Sequence, residues 1–345
     1  MNKKKKVTIE DIADEVGFSA NTVSRALNDK PEIKKETKEL ILKKAEEMGY
    51  RPSRVAQRMR AQETGILGVV VANNANPFFS RVVKSIESAA SDRGYNIILK
   101  DSDESPVKEE EAIKIMLSEQ VDGLLISPVN SEQSNITKVS EDLPLVSFAR
   151  HFRGLKIDFV LIDDRKGGYL ATKHLLDNGY EDIGLLNGPL NELSAQERLE
   201  GYEKAIREAD REPNPELIYD DILTMDQGYE VGKEMLNSEN RPDGVHTFSD
   251  FVALGLMKAV EEASLRIPED IGVVGFDDIP FCSYSRVPLS TIHVPIKKIG
   301  EEAVNILLSR IRNRKEDEEL GTNQVRLEPE LVVRESSGAQ QYSEA

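Results

Sequence analysis

Apolar positions in the first fifty residues recur with helical spacing. Ile12, Ala13 and Val16 share one face behind Thr8 and Asp11, which have the spacing of a capping pair, and Gly17 stops the run. After Ser19, a possible second cap, Val23, Ala26 and Leu27 form another stripe. That places Ala20, Asn21, Ser24, Arg25 and Asn28 on the outer face. Leu40, Ile41, Ala45 and Met48 predict a third helix over about 35–48, ended by Gly49 and Pro52. Two short helices joined at a glycine, the second with small polar residues outside, describe a helix-turn-helix. The segment that follows, Ser53 to Arg60, holds three arginines and Met59 among good helix formers. It is too short to be stable as an isolated helix.

From residue 65 the pattern changes to short β-branched runs alternating with amphipathic stretches. Strands are expected at 66–71, 95–99, 123–127, 145–148, 160–162, 183–187, 245–248 and 271–276. Helices are expected at 78–93, 109–119, 166–178, 194–209, 227–236, 251–263 and 296–312. Near-continuous apolar strands between helices imply parallel sheets covered on both faces. Eight or more strands suit two doubly wound lobes better than one sheet, giving an α/β chain with a helical head. Ligands of such sheets bind beyond the carboxyl ends of the strands.

Charge sharpens this division. The 345 residues carry a formal charge of -17, yet residues 1–60 hold fifteen Lys and Arg against ten Asp and Glu, a net of +5, leaving -22 on the remainder. A short basic head on a long acidic body fits a nucleic-acid module joined to something that stays off the phosphates. One cysteine, Cys282, cannot form an internal disulfide, and four scattered histidines form no metal motif. No metal or cofactor is expected. No apolar run reaches the roughly 20 residues of a membrane helix, and Lys3 to Lys6 precede no apolar segment, so a cytoplasmic protein without a membrane partner is expected. The G-x-S-x-G, P-loop, G-x-G-x-x-G, H-E-x-x-H and C-x-x-C motifs of common enzyme classes are absent, which argues against catalysis.

The stretch Val7 to Leu27, VTIEDIADEVGFSANTVSRAL, closely resembles the N-terminal domain of LacI-family transcriptional regulators, with Glu15-Val16 and Phe18 as mild variants. The body is similar to that family's effector domain and to periplasmic sugar-binding proteins. The matching phrases are Asn76-Pro-Phe-Phe79, Val121-Asp-Gly-Leu124, Asp163-Asp-Arg-Lys-Gly-Gly168, Gly188-Pro189, Arg198-Leu-Glu-Gly-Tyr202, Ile271-Gly-Val-Val-Gly-Phe-Asp277 and Leu289-Ser-Thr-Ile-His293.

The resemblance implies a homodimeric repressor of double-stranded operator DNA, controlled by a small-molecule effector held between two periplasmic-binding-protein-like lobes. It implies a DNA-binding domain at 1–52, a hinge at 53–64, an effector domain at 65–335 and a polar tail at 336–345. Lobe 1 would take about 65–163 and 293–323, and lobe 2 about 164–291 and 325–335. It assigns Ala20, Asn21 and Arg25 to bases and Ser19, Thr22 and Ser24 mainly to phosphates. Arg54, Ala56 and Met59 fall to the hinge, with Met59 as the minor-groove wedge.

For the effector the resemblance points to Phe78, Phe79, Arg150, Ser194, Arg198, Asp250 and Asp277, with Ser194 and Asp250 equally suited to capping helices. Arg198 and Asp277 together would bracket adjacent hydroxyls. Many sugar-responsive relatives carry Asp-Arg where this chain has Ala149-Arg150, and His151 or Asp250 is the candidate replacement acceptor. There is no tryptophan, and Leu223 stands where relatives often carry an aromatic. The effector is therefore expected to be a sugar or sugar derivative, with a nucleobase or nucleoside as the alternative. A solute-binding protein without a regulatory role is the alternative function.

Overall fold

In the computed structural model residues 7–27, 32–50, 64–130, 136–316 and 321–338 are described. They fall in two compact units divided after Thr64.

The first unit contains α1 (Ile9–Val16), α2 (Ala20–Leu27) and α3 (Lys35–Glu47). Thr8 and Asp11 cap α1 reciprocally, with the Thr8 N–H donating to Asp11 Oδ2 at 2.8 Å and the Asp11 N–H to Thr8 Oγ1 at 3.2 Å. Gly17 ends the helix at φ 71°, in the left-handed region that favours glycine. Ser19 Oγ accepts the Thr22 N–H at 3.1 Å at the start of α2. The small core is Ile12, Ala13, Val23, Ala26, Ile41 and Ala45. Two expectations are corrected here. Ser24 is buried, on the Ala20, Val23, Leu27 side of α2, and Leu40 is 51% exposed because α3 turns its neighbour Ile41 inward instead.

The second unit is built on two six-stranded sheets. Lobe 1 contains β1 (Ile66–Val71), α4 (Pro77–Ser91), β2 (Asn96–Asp101), α5 (Pro106–Ser118), β3 (Gly123–Ile126), α6 (Ile136–Asp142), β4 (Leu145–Phe148) and β5 (Asp158–Ile162). Lobe 2 contains α7 (Asp164–Asp177), β6 (Ile183–Leu186), α8 (Leu193–Glu208), β7 (Ile218–Tyr219), α9 (Met225–Leu236), β8 (Gly244–Thr247), α10 (Asp250–Glu262), β9 (Gly272–Asp277) and β10 (Ser290–His293). The chain then returns through α11 (Ile296–Glu316), which packs on α4 and across β3 to β5, and closes with β11 (Gln324–Leu327) and β12 (Glu330–Val332).

The strand orders are β11-β5-β4-β3-β1-β2 and β12-β10-β9-β8-β6-β7. Every described pairing is parallel except β10 with β12. The central strands are buried along their whole length, as sheets covered by helices on both faces require.

The chain passes between lobes at 163–164, 294–295 and 328–329. Three assignments near the C-terminus and in the middle differ from the sequence reading. Strand β11 belongs to lobe 1, with Val325 opposite Val160 on β5, so only β12 joins lobe 2. The tail does not begin at Ser336: the Ser336 hydroxyl donates to Val273 O at 2.6 Å, Ser337 Oγ donates to Ser290 Oγ at 2.7 Å, and both serines are fully buried. Helix α6 was not anticipated, since its seven residues carry little periodicity.

Close backbone packing explains two of the sequence phrases. A Cβ on Gly201 would lie 2.1 Å from Arg165 O, and one on Gly168 would lie 2.4 Å from Arg198 O. Glycine at both positions lets α7 and α8 touch backbone to backbone, which sets Arg198 against the start of α7.

Candidate functional site

On the head, Ser19, Ala20, Asn21 and Arg25 are exposed and Thr22 is half-buried. Asn21 and Arg25 stand one turn apart on the same face of α2. Ser19 and Thr22 also bond to each other through their hydroxyls at 2.9 Å. Ser24 does not join this surface, because its side chain lies in the head's core. Arg54, Ala56 and Met59 lie outside the described residues.

In the second unit the carboxyl ends of both sheets converge on one cleft, partly open to solvent. Asn73 and Asn76 follow β1, Glu104 follows β2, Ala149 and Arg150 follow β4, and Asp164 follows β5. From lobe 2 come Ser194 and Arg198 after β6, Leu223 after β7, Phe248 and Ser249 after β8, and Asp277 at the end of β9. This is where parallel sheets expose unpaired backbone and helix N-termini, the place where such sheets take their ligands. Of the residues anticipated from sequence, Phe78, Phe79, Arg150, Ser194, Arg198 and Asp277 line it together.

Phe78 and Phe79 sit just after Pro77, and Asn76 Oδ1 accepts the Phe78 N–H at 3.0 Å, fixing the helix start. Their rings meet edge to face, 5.1 Å apart. The Arg150 guanidinium lies 5.3 Å from the Phe79 centroid and donates to both oxygens of Glu104, at 2.7 and 3.0 Å. Its Nε reaches Glu192 of the opposite lobe at 2.8 Å. Arg198 is stacked 3.5 Å over the Phe276 ring, donates from Nε and Nη2 to Asp164 Oδ1 at 2.8 Å each, and bonds the Phe248 carbonyl through Nη1. Three of its five N–H groups are thus committed within lobe 2, while the residue still lines the cleft.

Asp277 has φ 112°, a strained value for a residue with a side chain, and the next residue, Asp278, has φ 54°. The turn is held from several sides. Arg81 donates to Asp278 O at 2.7 Å, Arg334 and His293 bond the Asp278 carboxylate at 2.6 and 2.8 Å, and the Ile279 N–H donates to Asp250 at 2.8 Å. Asp250 also accepts from Thr291 Oγ1 at 2.5 Å. Asp250 therefore positions the turn that aims Asp277 and does not itself line the cleft. His151 is also absent from the lining: its Nδ1 bonds Ser147 Oγ at 3.0 Å and its ring packs on Phe159. The carboxylate beside Arg150 is instead Glu104, which sequence reasoning missed along with Asp164 and Glu192. The strand-end rule applied to the turn after β2 could have found Glu104.

Burial shifts these groups strongly. It pushes Glu109 and Glu192 up to about 7 and Asp164 to about 6, although Arg150 and Arg198 pull the other way. Glu109 is fully buried, with Oε2 accepting the Val129 N–H at 2.7 Å and Oε1 unpartnered.

A carboxyl that keeps its proton in the folded state up to about pH 7, but loses it near 4.5 when unfolded, costs stability as pH rises through that window. The buried His246 and His151, lowered to about 3 and about 4, act oppositely below pH 6.5, so the overall slope mixes the two. The variant isolates one group. Relative to the unchanged protein, Glu109→Gln is expected to gain roughly 1–3 kcal/mol between pH 4.5 and pH 8. Urea unfolding at both pH values checks this, and a difference that does not change with pH contradicts it.

Among the described residues, no group of three His, Cys, Asp or Glu side chains could hold a metal ion, and no helix is long and apolar enough to cross a membrane.

Comparison with known proteins places these features. Residues 8–53 match the model of the lacI family of bacterial regulatory proteins, and residues 172–337 match that of periplasmic binding protein-like domains. The HTH-type transcriptional repressor PurR of Vibrio vulnificus is 34% identical over 331 residues, 95% of this chain and 98% of the relative. The Lac repressor dimer bound to operator and the anti-inducer ONPF superposes with a TM-score of 0.85 at 28% identity, covering 97% of this chain and all of that one. The regulator CelR in complex with cellobiose gives 0.72 at 27% identity, covering 96% and 100%.

Proposed function

We propose, from the premise that this chain belongs to the LacI family of bacterial regulatory proteins, that it is a transcriptional repressor binding operator DNA as a homodimer and adjusting its grip when a small molecule enters the cleft. The observation that carries this is the presence, in one chain, of an exposed Asn21–Arg25 face on a second helix and a two-lobed cleft lined from strand ends of both sheets. A lobe pair joined by three passages opens and closes through a few residues, and that motion is the signal the head receives. Relatives of this chain are regulators, and the absence of catalytic motifs supports a binding protein that works in the cytoplasm without catalysing a reaction.

Asn21 and Arg25 read bases, since Asn pairs with adenine and Arg with guanine in the major groove, while Ser19 and Thr22 serve the backbone. In the cleft Phe78 and Phe79 supply apolar faces for a ring, Asp277 accepts its hydroxyl or N–H groups, and Ser194 lies beside them. A sugar-like effector fits that chemistry, and a nucleobase fits the two aromatic rings equally well.

The test is a titration of the full chain against palindromic duplexes at several salt concentrations, with and without candidate effectors. Binding must weaken steeply with salt and favour a particular palindrome. A chain that binds all duplexes alike, or none, is not this regulator. Asp277→Asn keeps a residue that tolerates positive φ but removes the charge. It should leave operator affinity of the unliganded protein within about twofold while lowering effector affinity at least tenfold, the loss expected for a hydrogen bond to a charged group. Unchanged response at unchanged effector concentration removes Asp277 from the site.

A further inference from the structure

The charges of the cleft are unevenly spent. Two cations line it, Arg150 and Arg198, and all three nitrogens of each already donate to the protein: those of Arg150 to Glu104 and Glu192, those of Arg198 to Asp164 and the Phe248 carbonyl. Three carboxylates line it as well, Glu104, Asp164 and Asp277. Asp277 is different from the others. Only 5% of it is exposed, yet its carboxylate accepts no hydrogen bond from any described residue, while its backbone is held at φ 112° by the clamped turn behind it. An acceptor without a protein donor, open to the cleft and fixed at a strained position on its wall, is a place where the ligand supplies the donor.

We infer that the cleft takes an uncharged or cationic molecule presenting several O–H or N–H donors, and turns away phosphorylated and carboxylated ones. This rests on the reading of the cleft as the effector site. An anion entering it would find both guanidiniums matched by their own carboxylates and would face the Glu104 carboxylate directly. It would have to displace Asp164 or Glu192 from an arginine and leave that carboxylate buried without its partner. The raised affinity of Asp164, Glu192 and Asp277 for protons has the same origin: burial, with too little positive charge to offset it.

The experiment is thermal unfolding of the full chain with ribose, glucose and adenosine, each paired with its phosphate monoester at equal millimolar concentration, and inorganic phosphate alone. At least one uncharged member should raise Tm by several degrees while its ester and phosphate leave it unmoved. An ester that raises Tm as much as its parent compound overturns the inference, and so does the failure of every uncharged member. Glu104→Gln removes one negative charge and loosens Arg150, so affinity for the ester of the active compound should rise several-fold. If the folded variant binds the ester no better, the charge argument is wrong; if the variant does not fold, the paired compounds decide. Operator titration separates the two levels. A chain that grips operator and responds to an ester keeps the regulatory reading and loses the charge rule. One that binds the uncharged compound but no duplex keeps the rule and loses the regulator.

Discussion

Replacing Arg25 by alanine should weaken operator binding by about 1–3 kcal/mol per half-site and leave binding to random duplex nearly unchanged. Arg25 is exposed in the last turn of α2, one turn after Asn21, and the helix around it is anchored from beneath by Val23, Ser24 and Ala26. Removing its side chain therefore costs the head little packing. What is lost is a planar pair of donors that matches guanine, and a dimer loses it twice. Anisotropy titrations on operator and on a scrambled duplex of equal length, over a range of salt, measure both terms. If Arg25 touches only phosphate, the two duplexes lose affinity equally and the salt slope falls by about two, one for each protomer. Ser24→Ala supplies the contrast. As Ser24 is buried, its removal should change the melting of the head and not the preference for operator.

Arg198→Ala should destabilise the effector domain by about 3–5 kcal/mol, the expected cost of removing one member of a buried ion pair. Asp164 is 4% exposed and loses both of its contacts from Arg198, while the Phe248 carbonyl loses its donor and the Phe276 face its stacked cation. Urea unfolding followed by a probe in the domain measures the shift in midpoint. A combined Arg198→Ala, Asp164→Asn variant should recover part of the loss, because no buried carboxylate is then stranded. If Arg198→Ala unfolds at the same urea concentration as the unchanged protein, the pair is not holding the lobe and Arg198 serves the ligand alone. With a loss of the expected size, missing effector response in this variant says little about contact with the ligand, which is why Asp277→Asn is the sharper test of the site.

The sequence by itself determined the longer elements, though not α6, β7 or β10, because periods of 3.6 and 2 residues are local properties of a chain that buries one face. It determined the capped α1 and the polar outer face of α2, from Thr8, Asp11, Gly17 and the Val23, Ala26, Leu27 stripe. It also indicated where a ligand site would lie, because residues placed just after β-branched runs must end up at the carboxyl edge of a sheet. The individual candidates came from the resemblance to LacI-family regulators, and Phe78, Phe79, Arg150, Ser194, Arg198 and Asp277 all lie on the wall of the cleft at those ends. Tertiary structure alone decided what each of these side chains faces. Ser24 and Leu40 flank their helix stripes, and only the neighbouring helices settle which edge is covered. Strand β11 reads equally well in either lobe until β5 pairs with it, Arg326 opposite Leu161, 165 residues away. Asp250 looks like a cap or a ligand contact in sequence, but its partners are Ile279 and Thr291, 29 and 41 residues further on. Glu104 and Glu192 gain their meaning from Arg150, which meets them 46 and 42 positions away across two lobes. A buried charge is legible only through its partner, and long-range partners are chosen by the packing of the whole domain.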